Sequence, residues 1–117
     1  MAITLDTHSV DRVGFVANGY SADWSGCEEL VAAVSGKSIY VERVYINSNT
    51  AINYTIGAGE TTGAVTNEVL GPLYMAANSN AAFDFSGRPV KIAAGVALTA
   101  DASGAGAATI VIQGYIR

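Results

Sequence analysis

From Gly36 to Arg117 the chain is a succession of short apolar runs separated by Gly, Asn, Ser and Pro, almost without charge and without a helical period. The runs are Ser38 to Asn47, Ile52 to Ile56, Val65 to Met75, Ala81 to Phe85, Val90 to Ile92, Val96 to Ala100 and Ala108 to Ile116. Their starts lie about ten residues apart with turn formers between them, which is the spacing of an antiparallel β-sandwich or barrel. An all-β fold is therefore predicted.

At 117 residues the chain has the length of one domain, enough to bury about two-thirds of its unfolded surface. Residues 1–25 differ from the rest, because Asp6, His8, Asp11, Arg12 and Asp23 break up the hydrophobics and Asn18-Gly19-Tyr20-Ser21 has turn composition. They read as an N-terminal arm with a short first strand around Gly14 to Ala17, and residues 26–117 as a single sandwich domain. Glu28 to Val34 reads as a strand ended by Ser35-Gly36.

The segment from Ile39 to Ile46 contains an irregularity. Ile39 and Val41 share one parity and Val44 and Ile46 the other, so a strict period of two cannot put all four in one core. A bulge at Glu42-Arg43 would restore a common face and bend the strand; the alternative is a strand buried on both faces at a subunit contact. Ile52, Tyr54 and Ile56 alternate with polar residues, as do Phe83 and Phe85, and each pattern marks a half-buried strand. Pro72 either splits the run from Val65 to Met75 or places it at a sheet edge. Gly57 to Ala64 reads as a long exposed loop. Ile110, Ile112 and Ile116 share parity, and Gly114 stands where a neighbouring backbone or ring would otherwise clash, so the last strand is predicted to be central.

Half of the residues are hydrophobic and only 14% are charged, against a usual quarter or so. The surface must then consist largely of Ala, Gly, Ser, Thr, Asn and Tyr, a composition suited to contact with other proteins. The alternative is that abundant Ala inflates the hydrophobic share without forming large apolar patches. A net charge of -4 with six basic residues argues against nucleic acid, whose phosphates demand clustered Lys and Arg. Cys27 is the only cysteine, which leaves no intrachain disulfide and no Cys-based metal site; burial as a small hydrophobe is expected. The longest uninterrupted apolar stretch, Leu30 to Val34, is too short to span a bilayer, and Met1 to Val10 lacks the features of a secretory leader, so synthesis in a reducing cytoplasm is expected.

No constellation for chemistry emerges. Acid–base or nucleophilic catalysis needs polar groups converging in a cleft, yet the single imidazole, His8, lies in the arm. Asp101 to Gly106 has glycines and one carboxylate but lacks the further carboxylates of a calcium loop, and reads as a hairpin connection. Gly57-Ala58-Gly59 is followed by no Lys-Ser/Thr and is no phosphate loop. Tyr20, Trp24, Tyr40, Tyr45, Tyr54, Tyr74 and Tyr115 could line a sugar-binding face or could be core and rim packing. An enzyme is not expected, and neither is a cofactor.

Gly36-Lys37-Ser38-Ile39, Gly71-Pro72-Leu73, Asn78, the stretch from Phe83 to Arg88-Pro89, Gly95-Val96-Ala97-Leu98-Thr99, Ser103-Gly104-Ala105-Gly106 and Val111-Ile112-Gln113-Gly114-Tyr115-Ile116 together resemble the small β-sandwich virion proteins of tailed bacteriophages that decorate or cement the capsid. The resemblance covers residues 36–117; the first 35 residues have no counterpart in it. It implies a jelly-roll-like sandwich of about eight strands, a homotrimer on the exterior of the head, and the major capsid protein as partner. It carries over no catalytic, metal or cofactor-binding residue. In such an assembly Ile3, Leu5 and Trp24 are expected to anchor the arm to a neighbour or to the shell. A competing expectation puts the same sandwich at a tail or fibre tip, with its tyrosines on host glycans.

Overall fold

A computed structural model of the protein describes residues 12–59 and 67–117. Among these residues the chain is all-β, with nine strands: β1 Val13–Ser21, β2 Glu28–Val31, β3 Ile39–Ser48, β4 Asn53–Ala58, β5 Asn67–Tyr74, β6 Ser79–Asp84, β7 Val90–Lys91, β8 Leu98–Ala102 and β9 Ala108–Ile116. One sheet has the order β1-β9-β3-β6, with the short β7 also on β3, and the other the order β2-β8-β4-β5. All strand pairings are antiparallel.

The pairings are nested. β4 pairs β5, β3 pairs β6, β2 pairs β8 and β1 pairs β9, as in one long hairpin ribbon whose two halves run side by side. Folding that ribbon over brings β9 onto β3 and β8 onto β4 and divides alternate strand pairs between two sheets. This is a jelly roll, with β7 as an addition to the basic eight strands.

The core between the sheets is built by period-two patterning. Ile110 and Ile112 of β9 face inward from one sheet and Tyr54, Ile56, Leu98 and Ala100 from the other, all fully buried. On β3 the bulge expected at Glu42-Arg43 is present: pairing with β9 runs from Val41↔Gly114 to Arg43↔Gln113, so Glu42 is the extra residue. It returns Val44 and Ile46 to the face of Ile39 and Val41, and all four are buried. The Glu42 carbonyl, displaced from the β9 ladder, accepts the Phe85 N–H. The alternative of a strand buried on both faces does not hold, since Arg43, Tyr45 and Asn47 are exposed.

β9 lies between β1 and β3, the central place its apolar parity predicts. Pro72 sits on β5, an edge strand, inside a register shift against β4 between Leu70 and Leu73. A ring that cannot donate to a ladder is tolerated there. β2 is shorter than the run from Glu28 to Val34, ending at Val31 before the turn at Ser35-Gly36. Gly57 and Ala58, read as loop, belong to β4; the rest of that stretch, from Glu60 onward, lies outside the described residues.

The first strand differs most from expectation. It runs nine residues, Val13–Ser21, in unbroken register with β9, well beyond Gly14 to Ala17. The turn composition of Asn18-Gly19-Tyr20-Ser21 is overridden by packing: a Cβ on Gly19 would lie 2.9 Å from Leu30 Cδ2 and 3.2 Å from Trp24 Cη2. The glycine there admits close cover of the sheet instead of making a turn.

Candidate interaction surface

Register and parity together determine what the β1-β9-β3-β6 sheet shows on its outward face. One row across it reads Gly14, Tyr115, Tyr40 and Lys91; the next Val16, Gln113, Arg43 and Asp84. The third reads Asn18, Val111, Tyr45 and Ala82, and the fourth Tyr20, Thr109, Asn47 and Asn80. The bulge at Glu42 is what lets Tyr40 and Tyr45, of opposite parity, share this face. It makes one sheet surface out of residues on five strands.

Tyr20, Tyr40, Tyr45, Tyr115, Val16, Val111 and Ala82 give it a strong aromatic and aliphatic share among its polar residues. The rings of Tyr40 and Tyr115 stack with centroids 4.7 Å apart and planes inclined by 12°, and the Arg12 guanidinium carbon lies 3.7 Å from the Tyr115 centroid. Such a cation over a ring adds an attraction of about 0.5–1 kcal/mol at the surface. Val16, at 69% exposed, and Tyr20, at 70%, leave most of their surface to solvent. Val16, Tyr45, Ala82 and Val111 surround a shallow depression of about 310 Å³, with Arg43, Asp84 and Gln113 as its polar members.

The electrostatics of the face are local. Arg43 Nε lies 3.6 Å from Asp84 Oδ1 with both side chains more than half exposed, a pair worth little in water. The Asp84 carboxylate is held below its ordinary pKa mainly by hydrogen bonds from Ser86, whose backbone N–H donates to Oδ1 at 2.9 Å, with Arg43 a smaller cause. Asp23, at the connection leaving β1, is lowered in the same way by hydrogen bonds from Ser25. Neither carboxylate is placed as a buried acid or base would be.

The residues singled out as anchors separate. Trp24 is 2% exposed, with Nε1 donating to the Ala108 carbonyl at 3.0 Å. Its own carbonyl accepts the N–H groups of Cys27 and Ala102, each at 3.1 Å. Its indole is thus core, closing the end of the sandwich where β1 leads into β2, and presents no surface to a neighbour. Ile3 and Leu5 lie outside the described residues, as does His8. Of the seven aromatics considered for a sugar face, Trp24 and Tyr54 are buried, and Tyr74 stands on β5 in the other sheet. Tyr20, Tyr40, Tyr45 and Tyr115 share the outward face described above. Val16 and Val111 were missed by reading the sequence, although their alternation with Phe15, Ala17, Ile110 and Ile112 was visible.

Among the described residues no group of three or more His, Cys, Asp or Glu side chains is placed to hold a metal ion. No helix there is long and apolar enough to cross a membrane. Cys27 is buried, which fits the role of a small hydrophobe. Comparison with known protein families, with curated proteins and with solved structures finds no match to this chain.

Proposed function

We propose that this protein is a non-enzymatic structural component of a tailed-phage virion, a decoration protein that sits on the head exterior, contacts the major capsid protein and stabilises the joints between capsid subunits. The observation that carries the reading is the outward face of the β1-β9-β3-β6 sheet, where Val16, Tyr20, Tyr45 and Val111 stand on a rigid jelly roll with few charges among them. A surface of that kind gains free energy when another polypeptide covers it, at roughly 25 cal/mol for each Å² of apolar area removed from water. The resemblance of residues 36–117 to capsid decoration proteins is the ground for naming the major capsid protein as the covering polypeptide and for proposing a homotrimer.

The test is co-sedimentation of the purified chain with shells assembled from the major capsid protein of the same virus, followed by heating or chaotrope challenge. Saturable binding that raises the disruption temperature of the shells is the expected result. Absence of binding at saturating protein would overturn the reading. A chain lacking residues 1–10 tests the part assigned to Ile3 and Leu5, with loss of shell occupancy expected. Native mass at three times 12.0 kDa is the outcome that goes with a homotrimer.

A second reading, a tail or fibre module that binds host glycans, is favoured by one observation. The depression beside Tyr45 combines an apolar floor with the hydrogen-bonding groups of Arg43, Asp84 and Gln113, the mixture that small polar ligands with apolar faces require. Clear, saturable hits on a glycan array, abolished by Tyr45→Ala, would move the assignment to it.

A further inference from the structure

Each sheet of an open sandwich has two edges, and a bare edge invites another strand. Three of the four edges here are blunted. β5 carries Gly71-Pro72 and register shifts. β2 is four residues long, carries Glu28 and Glu29 and is itself shifted in register. The β6 side is shared between six-residue and two-residue strands that end at Asp84 and Lys91. β1 has none of these devices. Its nine residues, Val13–Ser21, contain no charge and no proline and hold unbroken register with β9, and among the described residues it pairs on that side alone.

The strand is also complementary to itself. Antiparallel pairing of two β1 strands about Ala17 sets Gly14 against Tyr20 and Val16 against Asn18, with Phe15 against Gly19, each with matching parity. Tyr20 of each copy then meets Gly14 of the other on the outward face, a cross-strand arrangement in which the ring covers the bare backbone. The outward side of Gly14 is open, since a Cβ there would find only the Gly114 carbonyl, at 3.9 Å. Tyr20, 70% exposed, has a ring with little of its own chain to cover it. Placed over Gly14 of a second copy, that ring would continue the row in which Tyr115 stacks on Tyr40.

We propose that the free edge of β1 is a homotypic docking site, on which the β1 strand of a second copy of this chain adds antiparallel about a two-fold axis at Ala17 and joins two jelly rolls into one continuous sheet. The contact is isologous, so each favourable pair occurs twice. It stands apart from the virion reading and from threefold assembly. It can act alone as a dimer or link trimers, and an even number of chains is its signature.

Native mass spectrometry and sedimentation equilibrium of the full chain test it, read for wild type, Val16→Lys, Gly14→Leu and Tyr74→Lys. Val16→Lys places two lysines diagonally across the axis, and Gly14→Leu fills the slot meant for Tyr20; both positions are open in the single chain. The expected result is twice 12.0 kDa, or another even multiple. Each β1 substitution should weaken association by about tenfold or more while circular dichroism and melting temperature of the dissociated chain stay unchanged. Tyr74→Lys, on the other sheet, should leave association as in wild type. A wild type that is only monomeric or only trimeric, or association insensitive to both β1 substitutions, would overturn the proposal. So would an equal loss from Tyr74→Lys. Shell binding, measured separately, can fail or succeed without altering this outcome.

Discussion

Gly114 lies so close to Tyr40 that a Cβ on the glycine would overlap the Tyr40 carbonyl oxygen, with the Phe15 ring 3.3 Å away on the same side. The approach occurs next to the bulge, where β3 gains a residue relative to β9 and its backbone leans toward the partner strand. Gly114→Ala must push two central strands apart, and neither has slack to give. The expected cost is about 3 kcal/mol, the upper part of the range for overpacking. Urea denaturation measures it, with Gly26→Ala, where a Cβ meets nothing within 4 Å, as the comparison that should stay close to wild type.

Trp24 is the only tryptophan, and its burial gives it two measurable properties. Trp24→Phe removes the donor to the Ala108 carbonyl at 3.0 Å and leaves that oxygen without this partner in a closed site. A loss of about 1–3 kcal/mol is expected, against about 3–5 kcal/mol for Trp24→Ala, which adds a cavity. The native emission should be blue-shifted and should not move when copies associate or bind a shell. A shift on binding would mean that the indole lies at a contact after all.

Acid should weaken the protein partly through Asp23 and Asp84. Both carboxylates sit below their ordinary value of 3.8 because hydrogen bonds from Ser25 and Ser86 favour the ionised form. A depressed folded-state pKa contributes stability that is present above the unfolded value and is lost as pH falls through the folded one. Both side chains are exposed to water, so the effect is modest. Melting temperatures of wild type and of Asp23→Asn/Asp84→Asn, followed from pH 6 to pH 2, should converge below the ordinary carboxylate value. A gap that stays constant across that range would show that the charges have no part in it.

Much of this fold was legible in the chain because period-two patterning and turn spacing are local. The places of Ile110 and Ile112, the bulge between Val41 and Val44, the clash relieved at Gly114 and the edge position of Pro72 all follow from side-chain parity or from the chemistry of one residue. The extent of β1 was not legible. Asn18 and Gly19 have turn composition, and only their pairing with Val111 and Ile110, more than ninety residues later, and the cover over Gly19 make them strand. Trp24 misled for a related reason: an aromatic in a polar, turn-rich stretch looks exposed until the far end of β9 supplies a carbonyl for its indole. The outward tyrosine face needed both kinds of knowledge, since it is assembled across β1, β9 and β3 and depends on the bulge for its parity.

Glu42 offers the sharpest separation of backbone from side-chain effects. As the inserted residue of the bulge it lets Ile39 and Val41 share the core with Val44 and Ile46, and this service comes from the presence of a residue, not from its carboxylate. Glu42→Ala should therefore stay within about 0.5 kcal/mol of wild type, as surface substitutions usually do. Deleting residue 42 removes the extra step and forces a choice. Either Val44 and Ile46 turn outward while Arg43, Tyr45 and Asn47 turn into the core, or β3 slips against both β9 and β6. The first outcome buries an arginine without its solvent and exposes two fully buried side chains at about 1.5–3 kcal/mol each; the second breaks the ladders on both sides. The deletion variant is expected to be unfolded by circular dichroism and by collapse of amide dispersion in NMR. Cooperative unfolding at a near-native temperature in the deletion variant would show that the core does not depend on the bulge.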